Sequence, residues 1–198
     1  MRSEKGFTLV EIMVTLAIMA VVMAGVYLTF YSQQKSYTVQ EQVAEMQQNL
    51  RGAMYLMSKE IKMAGCNPTG QAQAGIVTAA ADSISFTMDL WGKSTDDPPN
   101  GSISNPNENI TYALADISGD QAMEIIRTDN NSGLGPQVVA ENIDSLNFVY
   151  LDSNGNVTTD LLRIRSVQIT VVAKTDQADR QKRLATHIKC RNLGMLQE

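Results

Sequence analysis

From Phe7 to Phe30 the chain reads FTLVEIMVTLAIMAVVMAGVYLTF, 24 residues in which Glu11 is the one charge. Wound as a helix at about 1.5 Å per residue, the run measures roughly 36 Å, enough to cross a hydrocarbon core of about 30 Å. An acidic group at mid-membrane costs about 2.5–3.5 kcal/mol on a translocon scale, so Glu11 needs a partner. Six residues, MRSEKG, precede the run. Cleavage after Gly6 frees an α-amine on Phe7, a cation at the depth of Glu11 in a parallel neighbouring helix. Opposite charges attract far more strongly in a medium of low dielectric than in water. Such a pair sets register as well, because one axial stagger brings the two groups together. The alternative is a Glu11 that lies hydrated at the lipid interface. Arg2 and Lys5 place the leader in the cytoplasm under the positive-inside rule.

Two other readings of the same segment compete. Val22-Met23-Ala24 has the small residues of a conventional signal-peptidase site and would release a domain beginning at Gly25. Against it, Glu11 interrupts the apolar region and the helical pattern continues through Ala24. A plain single-span anchor accounts for the hydropathy but gives no role to Glu11 or to the Gly6-Phe7 junction.

The chain has 198 residues, enough for one anchor helix and one modest globular head. Without MRSEKG it loses two bases and one acid, leaving 14 basic and 20 acidic residues and a formal charge of −6. The densest basic stretch is Arg180, Lys182 and Arg183, read as a solvated hairpin edge, so no nucleic-acid-binding face is indicated. Cys66 and Cys190 are the two cysteines. In an exported domain they can pair, tying the end of the helix to the last strand across a long loop worth about 4–5 kcal/mol at most. Two separate buried thiols are the other reading.

The helical pattern continues past the apolar run. Val39, Val43, Met46, Leu50, Ala53, Met57, Ile61 and Ala64 recur in steps of three and four, opposite Gln, Glu, Lys and Arg. Gly65 ends the pattern and Pro68 prevents its resumption. A helix over Phe7–Ala64 would be roughly 87 Å long, with Gly52 as a weak point. The methionines Met46, Met54, Met57 and Met63 are read as core rather than as a binding groove. Beyond Pro68 the period becomes two: Ile84, Phe86, Met88 and Leu90 alternate with Ser83, Ser85, Thr87 and Asp89. Further strands are expected at Ile76–Ala79, Ile110–Leu114, Ala122–Arg127, Val138–Val139, Ile143–Leu151, Leu161–Lys174 and Ala185–Cys190. The apolar phase flips near Ser166, which suggests a bulge or a change of partner. Asn154-Gly155 is the strongest hairpin signal. Trp91–Asn109, with Pro98, Pro99 and Pro106, reads as a long surface loop that serves partner recognition or is a tolerated insertion. The expected fold is α+β, a long N-terminal helix packed on an antiparallel sheet.

Catalytic and cofactor chemistry finds no support. His187 stands alone in the last strand pattern with no nucleophile or acid at motif spacing. Asp152-Ser-Asn154-Gly155-Asn156 departs from a calcium loop in its Gly position and lacks the terminal Glu, so a turn explains it better. Weak calcium binding by Asp96, Asp97 and Asp152 stays open. No CxxC, phosphate loop, catalytic triad or nucleophile elbow is present. No enzyme activity, cofactor or metal site is expected.

Lys5-Gly6-Phe7-Thr8-Leu9-Val10-Glu11 resembles the class III signal of type IV prepilins and pseudopilins: a short basic leader ending in Gly, then Phe, Thr-Leu-hydrophobe-Glu and an apolar helix. The resemblance implies cleavage at Gly6–Phe7 by a prepilin peptidase, N-methylation of Phe7 and a filament-assembly role for Glu11. It divides the chain into a leader (1–6), a transmembrane and filament-core helix (7–30), an amphipathic continuation (31–64) and a periplasmic β-rich head (65–198). Val139–Tyr150, Ile164–Val172 and Arg191-Asn192-Leu193 are similar to PilW-type minor pilins and, more distantly, to J-type minor pseudopilins of type II secretion. Major pilins carry a Pro where this chain has Leu28, and Glu11 is retained, so the implied role is a minor pilin that primes assembly and enters the filament at low stoichiometry. The alternatives are a J-type pseudopilin and a tip adhesin or uptake pilin. Implied partners are the peptidase, other minor pilins and the major pilin through the N-terminal helix, the inner-membrane assembly platform and membrane lipid. The implied location is the bacterial inner membrane, with the N-terminus cytoplasmic and the head periplasmic, and then the cell surface.

Overall fold

Thr8 starts the helix that the apolar pattern demands. In a computed structural model that describes residues 6–91, 97–119, 121–175 and 181–194, α1 runs Leu9–Ile61 without a break. The chain divides between Gln42 and Val43 into two units. In the first, every side chain from Phe7 to Thr38 is exposed, including Leu9, Val14, Leu16, Val21 and Phe30. That part of α1 is long and apolar enough to cross a membrane, with mean hydropathy 2.5 over its most apolar window. A helix that buries none of this surface in its own fold must bury it in lipid or against other chains.

In the second unit, α1 from Val43 onward packs on two antiparallel sheets. Five strands form one meander in chain order: β1 (Ile76–Ala79), β2 (Ser83–Thr87), β3 (Asn109–Ala115), β4 (Glu124–Asp129) and β5 (Gln137–Ala140). Three form the other: β6 (Ile143–Leu151), β7 (Ser166–Lys174) and β8 (Gln181–Lys189). Met46, Leu50, Ala53, Met57, Ile61 and Ala64 are buried at the expected spacing, in one core with Ile84, Phe86, Ile110 and Tyr112 of the first sheet and Phe148, Val167, Ile169 and Ile188 of the second. Phe86 and Tyr112 stack with centroids 6.4 Å apart, a geometry in which offset rings attract. The Tyr150 hydroxyl reaches the carbonyls of Ala80 (2.8 Å) and Ser83 (3.0 Å), which ties the second sheet to the β1–β2 turn. Burial, reinforced by the charge of Asp82, pushes that phenol above its ordinary range and keeps it a donor.

Several sequence expectations need correction. The single sheet is two. Leu161–Lys174 is not one strand: β7 begins at Ser166, and the phase flip is its boundary, because the Arg165 guanidinium turns back to donate to the carbonyls of Leu162 and Ile164. Register shifts fall instead at Ile76/Thr78, Ile125/Ile126 and Ile143/Ser145. Asn154-Gly155 does make a tight turn, with Gly155 at φ 82°, but the turn closes the single bridge Leu151↔Val157 rather than joining β6 to β7. Met88 and Leu90 lie beyond the end of β2, and Met63, expected in the core, is exposed while Met54 is buried. β8 starts four residues before the expected Ala185.

Gly52 is exposed, and a Cβ built there meets nothing within 4 Å. Gly52→Ala should therefore stabilise the folded chain by about 1 kcal/mol through helix propensity alone. Denaturant titration of the head signal checks this, and a loss of stability would show that Gly52 is needed for close approach. A polar strut also joins helix to sheet. The Tyr112 hydroxyl donates to Glu60 Oε2 (2.6 Å), and Arg127 Nε donates to Glu60 Oε2 (3.0 Å) and Oε1 (3.2 Å). Burial disfavours the guanidinium charge, but the hydrogen bond and charge of Glu60 more than offset it, so the Arg127 pKa is raised. Glu60→Ala should cost about 2–4 kcal/mol by leaving that cation unpaired, whereas Glu60→Leu with Arg127→Met should cost less. Equal losses in the two proteins would contradict the unpaired-charge explanation.

Candidate functional site

The polar groups at the start of α1 form a closed set. Thr8 donates its backbone N–H and its hydroxyl to Glu11 Oε2, both at 2.9 Å, and the Glu11 N–H donates back to Thr8 Oγ1 at 3.3 Å. This is a reciprocal capping box: the N-cap threonine satisfies an orphan donor of the first turn, and the glutamate three residues on satisfies the N-cap amide. The Ile12 N–H donates to the Thr8 carbonyl (3.2 Å) to begin the helical ladder. Farther along, the hydroxyls of Thr15 and Thr29 bond the carbonyls of Ile12 and Gly25, both at 2.9 Å. The span's other hydroxyl-bearing threonines are thus satisfied within the helix. Glu11 is different, since only Oε2 is engaged and Oε1 has no partner among the described residues.

Around Glu11 the surface is apolar, made by Phe7, Val10, Ile12 and Val14 with Thr15. A carboxylate with one committed oxygen and one open oxygen, set among exposed hydrophobic side chains, invites a cationic donor brought by another chain. Gly6 and Phe7 precede the helix outside any regular element, and Phe7 is 86 % exposed. Both residues of that junction are exposed. Residues 1–5 of the expected leader lie outside the described residues. Thr8 is the site residue that sequence reasoning passed over, although T-x-x-E at Thr8–Glu11 is a helix-start signature in plain view. Tyr27 and Tyr31, exposed near the far end of the run, have the amphipathic character of residues that settle at a membrane interface.

The head places the remaining candidates apart from one another. His187 is exposed on β8 opposite Gln168. Asp152 uses one carboxylate oxygen to accept the N–H groups of Asn154 (2.8 Å) and Asn156 (2.9 Å), and those backbone donors hold its pKa below the usual range. It serves as the turn's own anchor. Asp96 lies outside the described residues, and among those described no cluster of three or more His, Cys, Asp or Glu is grouped as for a metal. Cys66 and Cys190 are free thiols here rather than the expected bridge: Cys190 is packed into the core and Cys66 lies at its margin.

The long loop is more constrained than its polar composition predicts. Asp89 and Glu108 are fully buried, and Asp129 nearly so. Glu108 accepts the N–H groups of Leu90 and Trp91 on Oε1 (3.0 Å each) and of Asn105 on Oε2 (2.9 Å). Asp89 accepts those of Asn100 (3.2 Å) and Gly101 (3.0 Å), and Asp129 that of Asn107 (2.8 Å). The Asn131 amide bonds the carbonyls of Ile103 (2.7 Å) and Asn105 (2.8 Å), joining this loop to the β4–β5 turn. Burying carboxylates is costly unless backbone donors satisfy them, so residues 97–108 are a built surface, not slack chain.

Residues 1–27 match the family model described as "Prokaryotic N-terminal methylation motif". No curated protein matches the chain. The motif lies over the leader, the capping box and most of the apolar run, and with the helix-plus-sheets fold it gives a type IV pilin-like α+β architecture.

Proposed function

We propose, for a chain whose N-terminus carries the methylation motif of type IV pilins and pseudopilins, that it is a minor type IV pilin. The motif implies processing by a prepilin peptidase and assembly with other pilins through the exposed helix. In the proposal the enzyme cuts between Gly6 and Phe7 and methylates the Phe7 amine. The head then waits on the periplasmic side of the inner membrane. The observation that carries the reading is Glu11, bonded to Thr8 through Oε2 and open at Oε1 among the described residues, at the head of an exposed apolar helix.

Insertion into a growing filament then follows from physical terms. The apolar surface of Phe7–Phe30 exchanges lipid for neighbouring helices at little net cost, so polar pairing decides the stagger. The open Glu11 oxygen meets the Phe7 ammonium of a neighbour, and the pair is stabilised because no water competes for it. Helix α1 is continuous through Leu28, which supports a subunit that does not unwind there and hence a minor role beside a different bulk pilin. The pinned surface at residues 97–108 supports a head that makes specific contacts with other subunits near the filament tip.

Deleting the chain should reduce surface filaments at least tenfold at unchanged levels of the main pilin, with recovery on re-expression. Normal filament numbers with lost release of exported proteins would replace this reading with the J-type pseudopilin.

A further inference from the structure

The open edges of the two sheets are not alike. β1 and β5 are four residues long, and each meets its neighbour with a register shift. β6 is longer, but its outer side is occupied. There the Ile143 N–H donates to the Met123 carbonyl (2.9 Å), the Phe148 N–H to the Ala81 carbonyl (2.7 Å), and the Tyr150 carbonyl accepts the Thr158 N–H (2.9 Å). β8 has neither protection. It runs nine residues in unbroken register with β7, from Ser166↔Lys189 to Lys174↔Gln181, an edge of roughly 30 Å. The Cys190 N–H donates to the Arg165 carbonyl (3.0 Å) and continues that register. Backbone groups alternate in direction along an antiparallel strand, so Ile188, Thr186, Leu184 and Lys182 also turn toward β7. Lys189, His187, Ala185, Arg183 and Gln181 turn their N–H and C=O groups to the open side, where no partner stands among the described residues.

We propose that β8 accepts an extended acidic segment of another polypeptide as a fourth strand on the sheet of β6, β7 and β8. Charge defines the partner. β7 and β8 carry Lys174, Lys182, Arg183 and Lys189, all exposed, and no Asp or Glu. None of these cations is ion-paired among the described residues, although the whole chain is acidic at −5. Basic side chains on an edge repel further strands, and a second copy of β8 brings the same charges. An acidic strand meets attraction instead.

The two faces of the added strand have different requirements. On the outer face Arg183 and Lys189 are exposed and favour Asp or Glu directly opposite them. On the core face Ile188 is buried, while Leu184 and Thr186 are half-buried at the margin. Apolar side chains beside Leu184 cover what β8 leaves open. The partner segment thus alternates acidic and apolar residues, and its main-chain bonds supply the affinity. The inference concerns the head alone and holds for a filament subunit and a secretion subunit alike.

The test uses the full chain in detergent at low salt with three fluorescent peptides as long as β8. One alternates glutamate with valine and one alternates lysine with valine. The third is the glutamate peptide with all its backbone amides N-methylated, which keeps the charge and removes the strand donors. Anisotropy should show the plain glutamate peptide binding at least tenfold more tightly than either of the others. Hydrogen exchange read by NMR should slow at least tenfold at Arg183, Ala185 and His187 when it binds, with Thr186 and Ile188 unchanged. Ala185→Pro removes one outward donor, a change that an edge strand tolerates, and should weaken that peptide at least tenfold at unchanged Tm. The peptide comparison stands even where that variant fails to fold. Arg183→Glu with Lys189→Glu should reverse the preference between glutamate and lysine peptides. Equal binding of the methylated peptide would reduce the edge to a patch of charge and overturn strand addition. A glutamate peptide that does not bind, outward amides already protected in the free chain, or a dimer lost on Ala185→Pro would overturn it as well.

Discussion

Glu11→Ala is expected to leave cleavage after Gly6 intact and to reduce incorporation into filaments at least tenfold. Two losses coincide in that variant. The capping box opens, at about 1 kcal/mol for the helix start. The partner for a neighbour's Phe7 ammonium also disappears, leaving a cation in an apolar surround. Glu11→Gln separates them, because glutamine retains capping capacity but not charge. If pairing governs assembly, the glutamine variant incorporates as poorly as the alanine one, and Thr8→Ala, which disturbs only the cap, is mildly affected. If capping is all that matters, glutamine restores incorporation and Thr8→Ala fails with Glu11→Ala. Quantifying the subunit in sheared filaments against its membrane level distinguishes the two.

Glu108→Ala is expected to destabilise the head by about 3–5 kcal/mol. Three backbone donors, at Leu90, Trp91 and Asn105, converge on its two oxygens in a site without solvent access. Each orphaned buried donor costs about 1–3 kcal/mol, with partial relief as the segment relaxes. Glu108→Gln retains one oxygen and should lose less. The local signature is faster proteolysis within residues 97–108, with the α1 core protected until global unfolding. A loss below about 1 kcal/mol for Glu108→Ala would mean that this segment is slack chain after all.

How much of this was legible depended on periodicity. Met46, Leu50, Ala53, Met57, Ile61 and Ala64 advertise a half-buried helix in steps of three and four, and they are buried as that pattern requires. β3 falls within a residue of its expected limits, and β2 begins at the expected Ser83 but ends at Thr87, three residues short of Leu90. Residues Leu161–Ile164 misled because they are apolar and abut a true strand, while Arg165 bonds its own preceding carbonyls and bends the chain there. The buried acids were illegible for a related reason. Asp89 and Glu108 sit in polar surroundings, and their burial rests on backbone donors many residues away, which leaves no repeat in the sequence. At the N-terminus the chemistry of Glu11 was readable from one charge in an apolar run, yet its bond to Thr8 was overlooked although the spacing announces it. Gly52 looked like a weak point and stands in open space, so that weakness is real in the isolated chain.

Pairing at Glu11 requires that the mature chain begin at Phe7 with a free or methylated amine. Mass spectrometry of sheared surface filaments and of the membrane fraction reads this directly. The expected result is an N-methylated peptide beginning at Phe7, present in filaments but scarce beside the main pilin. A mature chain beginning at Gly25, or an uncut N-terminus in both fractions, would contradict it.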